Sequence, residues 1–169
     1  MISIILIGMM GCGKSSVGKK ISETLNMPYI DTDEIVEQRL KMSIPHIFKQ
    51  YGESYFRDYE SDAARQAAAT SRAVISTGGG IVTRTANMVV LKSAGMVVYI
   101  RCSAERLFER IENDESRPLL LVPNRLLKIK EMLTVRDPLY KNFSDYTVEA
   151  DNMTIKEISE MICNEYSRR

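Results

Sequence analysis

Tryptophan is absent from this chain of 169 residues, histidine occurs once and cysteine three times. Each shortage removes a class of function. Cys12, Cys102 and Cys163 are odd in number, widely spaced and include no C-x-x-C pair. Neither a disulfide framework nor a zinc site is therefore expected, and a reducing cytoplasm is the expected setting. His46 stands between Pro45 and Ile47 with no ligand cluster beside it, so it is not expected to bind a metal. A charge excess is also missing: Lys plus Arg number 23 and Asp plus Glu 22, for a net +1. Without a field of one sign, a nucleic-acid coat or a polybasic membrane binder is not expected. Long apolar runs are missing too. The run Ile2–Ile7 is far too short to cross a bilayer. A glycine-rich loop and Lys14 follow it, not a small-residue cleavage site.

With 44% hydrophobic and 27% charged residues, the chain has ordinary globular composition and enough length for one domain, 1–169. Strand-length apolar runs occur at Ile2–Ile7, Pro28–Ile30, Ala73–Ser76, Met96–Ile100 and, more weakly, Tyr146–Val148. Continuous apolar runs suit parallel strands covered on both faces. Helical spacing lies between them, in Val17, Ile21 and Leu25, in Leu107, Phe108 and Ile111, and in Ile155, Ile158 and Ile162. Glu53 to Ser71 is alanine-rich and also reads as helix. The alternation predicts an α/β fold with a parallel central sheet. Gly78–Gly80 and Asn113–Asn124 read as irregular; the second, broken by Pro118 and Pro123, reads as a mobile surface loop.

The strongest motif is Gly8-Met9-Met10-Gly11-Cys12-Gly13-Lys14-Ser15. It matches G-x-x-x-x-G-K-[ST], follows an apolar strand and opens an amphipathic helix, the context the motif requires. Glycines let backbone N–H groups come close to phosphate, and the helix start adds free donors and a favourable dipole. Lys14 can bridge the β- and γ-phosphates, and the Ser15 hydroxyl can join a Mg²⁺ shell. Ser16 extends the helix start within reach of the α-phosphate. Cys12 is expected to serve through its backbone, with an idle thiol. No apolar strand ends in Asp-Glu, as in motor and AAA-type ATPases, and no Asn-Lys-x-Asp reads a guanine base.

Other chemistry clusters after the strands. Asp31 and Asp33 follow the short second strand; one can orient magnesium waters and the other a substrate hydroxyl, or Asp31 can simply cap a helix. Arg57 and Glu60 share a helical face, either as a fixed guanidinium for a substrate carboxylate or as a solvated surface pair. Gly78-Gly79-Gly80 suits close backbone approach at the C-terminal edge of the sheet, where open α/β folds bind ligands. Arg117 lies in the irregular segment, placed to cover transferring phosphate charge. Arg136 precedes Asp137-Pro138-Leu139-Tyr140.

Taken in order and spacing, these segments resemble the shikimate kinase family over nearly the whole chain. They are Gly11–Ser15, Asp31-Thr32-Asp33, Ser43-Ile44 with Ile47-Phe48, Phe56-Arg57 with Glu60, Gly78–Gly80, Arg117-Pro118-Leu119-Leu120, and Arg136 with Pro138-Leu139-Tyr140. The resemblance implies a P-loop, nucleoside-monophosphate-kinase-like fold: a five-stranded parallel sheet with flanking helices, a substrate-binding region near 32–61 and a lid near 112–124. It implies ATP-dependent phosphorylation of the shikimate 3-hydroxyl, on the route to chorismate and aromatic amino acids. Without a coiled-coil signature in the sequence, a monomer is expected. By the same resemblance Asp33, Arg57, Arg136, Gly79 and Gly80 bind shikimate. Gly11, Cys12, Gly13, Lys14, Ser15, Ser16, Arg110 and Arg117 bind ATP. Ser15 ligates Mg²⁺ directly and Asp31 through water, while Lys14, Asp33 and Arg117 act in catalysis. Where the family often has an arginine near Asp151, this chain has Met153. Two other readings stay open on the residues alone: a gluconate or nucleoside monophosphate kinase of the same fold, and a nucleotide-dependent switch without an acceptor.

Overall fold

A computed structural model describes residues 2–114 and 116–169; Met1 and Glu115 lie outside the described residues. Five strands form one sheet: β1 (Ser3–Ile7), β2 (Tyr29–Asp31), β3 (Val74–Ser76), β4 (Gly95–Arg101) and β5 (Tyr146–Glu149). Their order is β2-β3-β1-β4-β5, and every pairing is parallel. All five β1 residues are buried, because the central strand is covered by helices on both faces. Ile2, expected inside this strand, lies outside it and is exposed. The second strand runs one residue further than expected, since Asp31 still pairs with Ser76.

The register decides where the chemistry can sit. Leu6 pairs with Ser76, so β1 and β3 finish side by side. The Thr77 N–H and hydroxyl both donate to the Leu6 carbonyl, at 3.2 and 3.0 Å. The glycine-rich loop after β1 and the glycine triplet after β3 therefore leave the same edge of the sheet, at the carboxyl ends of the strands.

Seven helices complete the described residues: α1 (Lys14–Leu25), α2 (Thr32–Leu40), α3 (Ile44–Ala68), α4 (Thr85–Ala94), α5 (Ala104–Ile111), α6 (Arg125–Phe143) and α7 (Ile155–Ser167). The expected periodicities of α1 and α5 hold; in α7 Ile158 and Ile162 are buried, but Ile155, at the start of the helix, is exposed. The helix expected over Glu53–Ser71 starts nine residues earlier at Ile44, is broken at Gly52 (φ 83°), and stops at Ala68. Helix α6 continues through Pro138, a residue that normally ends a helical reading. The segment 112–124 contains a 3-10 turn at Pro118–Leu120. Asn124 then caps α6 through its side chain. Arg125 anchors the base of that segment by donating to the carbonyls of Glu112 and Asp114, at 2.8 and 3.1 Å.

The main core joins the sheet to α1, α4, α6 and α7. A second, smaller cluster of Val36, Ile47, Phe56 and Ala63 binds α2 to α3 and makes those two helices one arm beside the sheet edge. Among the described residues no helix is long and apolar enough to cross a membrane. Helix α7 opens on a reciprocal cap: the Thr154 hydroxyl accepts from the Glu157 N–H, and the Glu157 carboxylate accepts from the Thr154 N–H. Thr154→Ala removes one half of that cap and should cost about 1 kcal/mol, seen as a lower urea midpoint at unchanged slope; an unmoved midpoint would show that the cap adds nothing.

Candidate active site

The loop 8–15 curls around the amino end of α1. Lys14, only 8% exposed, donates from Nζ to the carbonyls of Gly8 and Met9, both at 2.9 Å, and approaches Cys12 Sγ at 3.7 Å. Ser15 Oγ donates to Asp31 Oδ2 at 3.1 Å, and Tyr29 Oη donates to the same oxygen at 3.0 Å. The other Asp31 oxygen accepts from the Asp33 N–H at 3.0 Å and caps α2. The expected cap is therefore present on one Asp31 oxygen, while the other is held by Ser15 and Tyr29. A cavity of about 310 Å³ opens here, with Gly11, Gly13, Lys14, Ser15, Ser16, Asp31, Arg110 and Arg117 in its wall. Cys12 is not in that wall. Its N–H turns to the Met9 carbonyl at 3.3 Å, and its thiol is fully buried.

A second cavity of about 240 Å³ lies beside the first, and all five expected acceptor-binding residues line it: Asp33, Arg57, Gly79, Gly80 and Arg136. Arg57 is 7% exposed and Glu60 fully buried, so theirs is no solvated surface pair. Arg57 Nη1 donates to Glu60 Oε2 at 2.8 Å, while Nη2 and Nε reach Glu53 Oε1 at 2.9 and 3.2 Å. Arg136 Nη1 donates to the Gly79 carbonyl at 3.3 Å, as does the Tyr140 hydroxyl. An apolar wall of Ile44, Pro45, Phe48 and Phe56 faces these charges.

The glycine triplet meets three different neighbours. A Cβ on Gly78 would lie 2.6 Å from Asp33 Oδ1 and 2.7 Å from Glu60 Oε1. One on Gly79 would lie 3.0 Å from the Met10 nitrogen, and one on Gly80 would lie 2.2 Å from the Arg57 guanidinium. The triplet lets two carboxylates, the phosphate loop and a guanidinium crowd one stretch of backbone.

Asp33 Oδ1 and Glu60 Oε1 are buried and find no hydrogen-bond donor among the described residues. Burial, then the charges of Glu60 and Asp31, pushes the Asp33 carboxyl up to about 7, against Lys14 and Arg117. Burial likewise raises Glu60, opposed first by Arg57. A space with two guanidiniums and two carboxylates suits a ligand that carries both a carboxylate and hydroxyls. Met10, Asp33, Gly79 and Arg117 line both cavities, so an acceptor in one would lie next to a polyphosphate in the other.

The family model for shikimate kinase matches residues 10–167. The chain belongs to the shikimate kinase family. A relative, the shikimate kinase of Thermodesulfovibrio yellowstonii, is 42% identical over 166 residues, covering 98% of this chain and 95% of that protein. Among solved structures, shikimate kinase from Acinetobacter baumannii in complex with shikimate superposes with a TM-score of 0.97 at 33% identity, over 99% of this chain and 94% of that one. Shikimate kinase from Aquifex aeolicus superposes with a TM-score of 0.85 at 36% identity, over 98% and 96% of the two chains. The five-stranded, all-parallel P-loop architecture expected from the sequence is the architecture of this family.

Within this member of the family, three contributors escaped the sequence reading. Glu53 holds the far side of Arg57; its i, i+4 spacing was a usable signal. Tyr29 shares an oxygen of Asp31 with Ser15, and its i, i+2 spacing on one strand was also a usable signal; Tyr140 pins the Gly79 carbonyl, a contact between distant residues that leaves no local trace. Asp151 Oδ1 accepts from the Ser103 N–H at 2.8 Å, tying the loop after β5 to the start of α5, where a further cavity includes Arg106 and Met153.

The raised Asp33 carboxyl has a stability cost with a definite sign. An acid whose folded pKa is raised ionises first in the unfolded chain, so the fold loses stability as pH climbs from 3.8 towards about 7. Asp33→Asn removes that loss. Measured without ligands, the variant should match wild type below pH 4 and exceed it above pH 7, by roughly 1–3 kcal/mol, in thermal melts across pH. A constant difference at all pH values would show that Asp33 ionises normally.

Proposed function

We propose that this chain transfers the γ-phosphoryl group of ATP to the 3-hydroxyl of shikimate, giving shikimate 3-phosphate on the route to chorismate and aromatic amino acids. The observation that carries the reading is the pairing of buried Arg57 and Arg136 with Asp33 in a cavity that shares a wall with the phosphate loop. Gluconate also joins a carboxylate to hydroxyls; membership of the shikimate kinase family is what favours shikimate over it. A nucleotide acceptor offers no carboxylate for the two guanidiniums.

Arg57 and Arg136 hold the acceptor carboxylate, and the Gly79-Gly80 backbone bounds its ring. Asp33, in the wall of the acceptor cavity, takes the acceptor hydroxyl on its carboxylate, directs it at phosphorus and receives its proton. A pKa near 7 suits that task. The backbone of the loop, with Gly11, Gly13, Lys14, Ser15 and Ser16, seats the ATP phosphates; Cys12 shapes the loop from beneath. Arg110, which donates to the Gly11 carbonyl at 3.3 Å, lies on the adenine side. Lys14 and Arg117 spread the charge of the loose phosphoryl transition state. The segment 112–124 acts as a lid whose closure excludes water, the competing acceptor.

Among the described residues no three His, Cys, Asp or Glu side chains gather as a metal site. The Ser15–Asp31 pair still fits Mg²⁺, because that ion keeps several waters and takes its other oxygens from substrate phosphates. Ser15 would ligate it directly and Asp31 through water, and the ion supplies charge neutralisation on the β- and γ-phosphates. We propose a cytoplasmic monomer of one domain, binding neither nucleic acid nor membrane.

Coupled ADP release with Mg-ATP should saturate with shikimate and stay at background with gluconate, AMP or no acceptor. Release with another acceptor would overturn the assignment of the pocket, and acceptor-independent behaviour would favour a nucleotide switch. In the same assay Lys14→Ala should lower kcat about 100- to 1,000-fold with a folded spectrum. Arg136→Ala should raise the shikimate KM roughly 10- to 100-fold, the loss of a charge-assisted contact, with the ATP KM unmoved. An unchanged shikimate KM would place Arg136 outside the carboxylate grip.

A further inference from the structure

Helix α6 carries two functional side chains one turn apart, Arg136 and Tyr140, and both donate to the Gly79 carbonyl. The residue after Arg136 lies in neither cavity wall and faces the sheet. Asp137 Oδ1 accepts from Tyr99 Oη at 2.8 Å and from Arg101 Nε at 3.1 Å, both on β4. Its Oδ2 pairs with Lys141 Nζ at 2.7 Å, on the next turn of α6. Arg101 continues the chain of contacts to both Glu149 oxygens on β5, each at 3.0 Å. The Tyr99 ring also stacks on Tyr140, with centroids 4.8 Å apart.

The placement matters because Pro138 follows at once. Proline has no N–H, so α6 lacks a backbone rung at the turn that presents Arg136. A helix is most easily bent at such a point. Three donors from two elements converge there on one carboxylate. Arg101 and Lys141 are 39% and 51% exposed, so each ion pair alone is weak; the convergence and the half-buried Tyr99 bond give the strut its direction. Burial alone would raise the Asp137 carboxyl, yet the contacts from Lys141, Tyr99 and Arg101 hold it below the usual carboxylate range.

We propose that Asp137 is a positioning residue for the acceptor carboxylate: it clamps the proline-weakened turn of α6 to β4, and thereby sets the Arg136 guanidinium against Gly79. The inference rests on the reading that Arg136 grips the shikimate carboxylate. It acts through Arg136, so its effect belongs to shikimate and not to ATP.

The test is a kinetic cycle on the intact enzyme with wild type, Asp137→Ala, Asp137→Asn, Arg136→Ala and the Asp137→Ala/Arg136→Ala double variant. Asp137→Ala should raise the shikimate KM about fivefold and leave the ATP KM within about twofold. Asp137→Asn, which still accepts from Tyr99 and Arg101, should recover most of the loss. In the Arg136→Ala background, Asp137→Ala should add nothing further. Equal rises in both KM values, or additive effects in the double variant, would make Asp137 a general fold residue and overturn the proposal. If Arg136→Ala raises the shikimate KM and Asp137→Ala does not, the strut fails while the reading of Arg136 stands. If Arg136→Ala itself leaves that KM unchanged, both fall. Should Asp137→Ala not fold, Asp137→Asn in the Arg136→Ala and wild-type backgrounds carries the same comparison, with a smaller expected rise.

Discussion

The backbone of Gly79 lies so close to that of Met10 that a single added carbon would meet the Met10 nitrogen at 3.0 Å. That approach joins the phosphate side of the site to the acceptor side. It exists because β1 and β3 are neighbours in the sheet and end in register, so the segments that follow them cannot diverge before they touch. Phosphoryl transfer needs donor and acceptor in line, and most of its acceleration comes from holding them there. In this protein the holding begins in the strand order, before any catalytic side chain is considered.

The charges arranged around that contact are costly to bury. Lys14, Arg57 and Arg136 are nearly closed off from solvent, as is Glu60, and a buried ion stays tolerable only with partners. Most partners are internal: loop carbonyls for Lys14, Glu53 and Glu60 for Arg57, the Gly79 carbonyl for Arg136. The balance is left incomplete at Asp33 Oδ1 and Glu60 Oε1, buried oxygens without a donor among the described residues. Both oxygens pack against Gly78, so the fold carries a local penalty beside the cavity, a pattern common at functional sites.

Much of this was legible in the chain. The strand runs, the three clear helical periodicities and the full phosphate-loop motif are local signals, and local physics reads them well. The Arg57–Glu60 spacing left a fixed guanidinium and a solvated pair both open, because burial depends on the approach of distant Gly80 to Arg57. Asp31 was read either as an organiser of magnesium waters or as a helix cap; the cap is present, and the contacts of its second oxygen with Ser15 and Tyr29 were not foreseen. Helix α6 was hidden by Pro138, which the surrounding contacts overrule. The glycine triplet was read as room for a ligand; in the structure much of that room is filled by the protein's own carboxylates, guanidinium and loop.

Arg117 borders both cavities and pairs with Asp114 at 3.0 Å. A side chain with two clients makes their affinities a shared property. If a polyphosphate draws Arg117 into an arrangement that favours the acceptor, the acceptor must favour the polyphosphate by the same factor, because coupling free energies are reciprocal. One guanidinium shared by two cavities is enough to let two chemically unlike ligands sense each other.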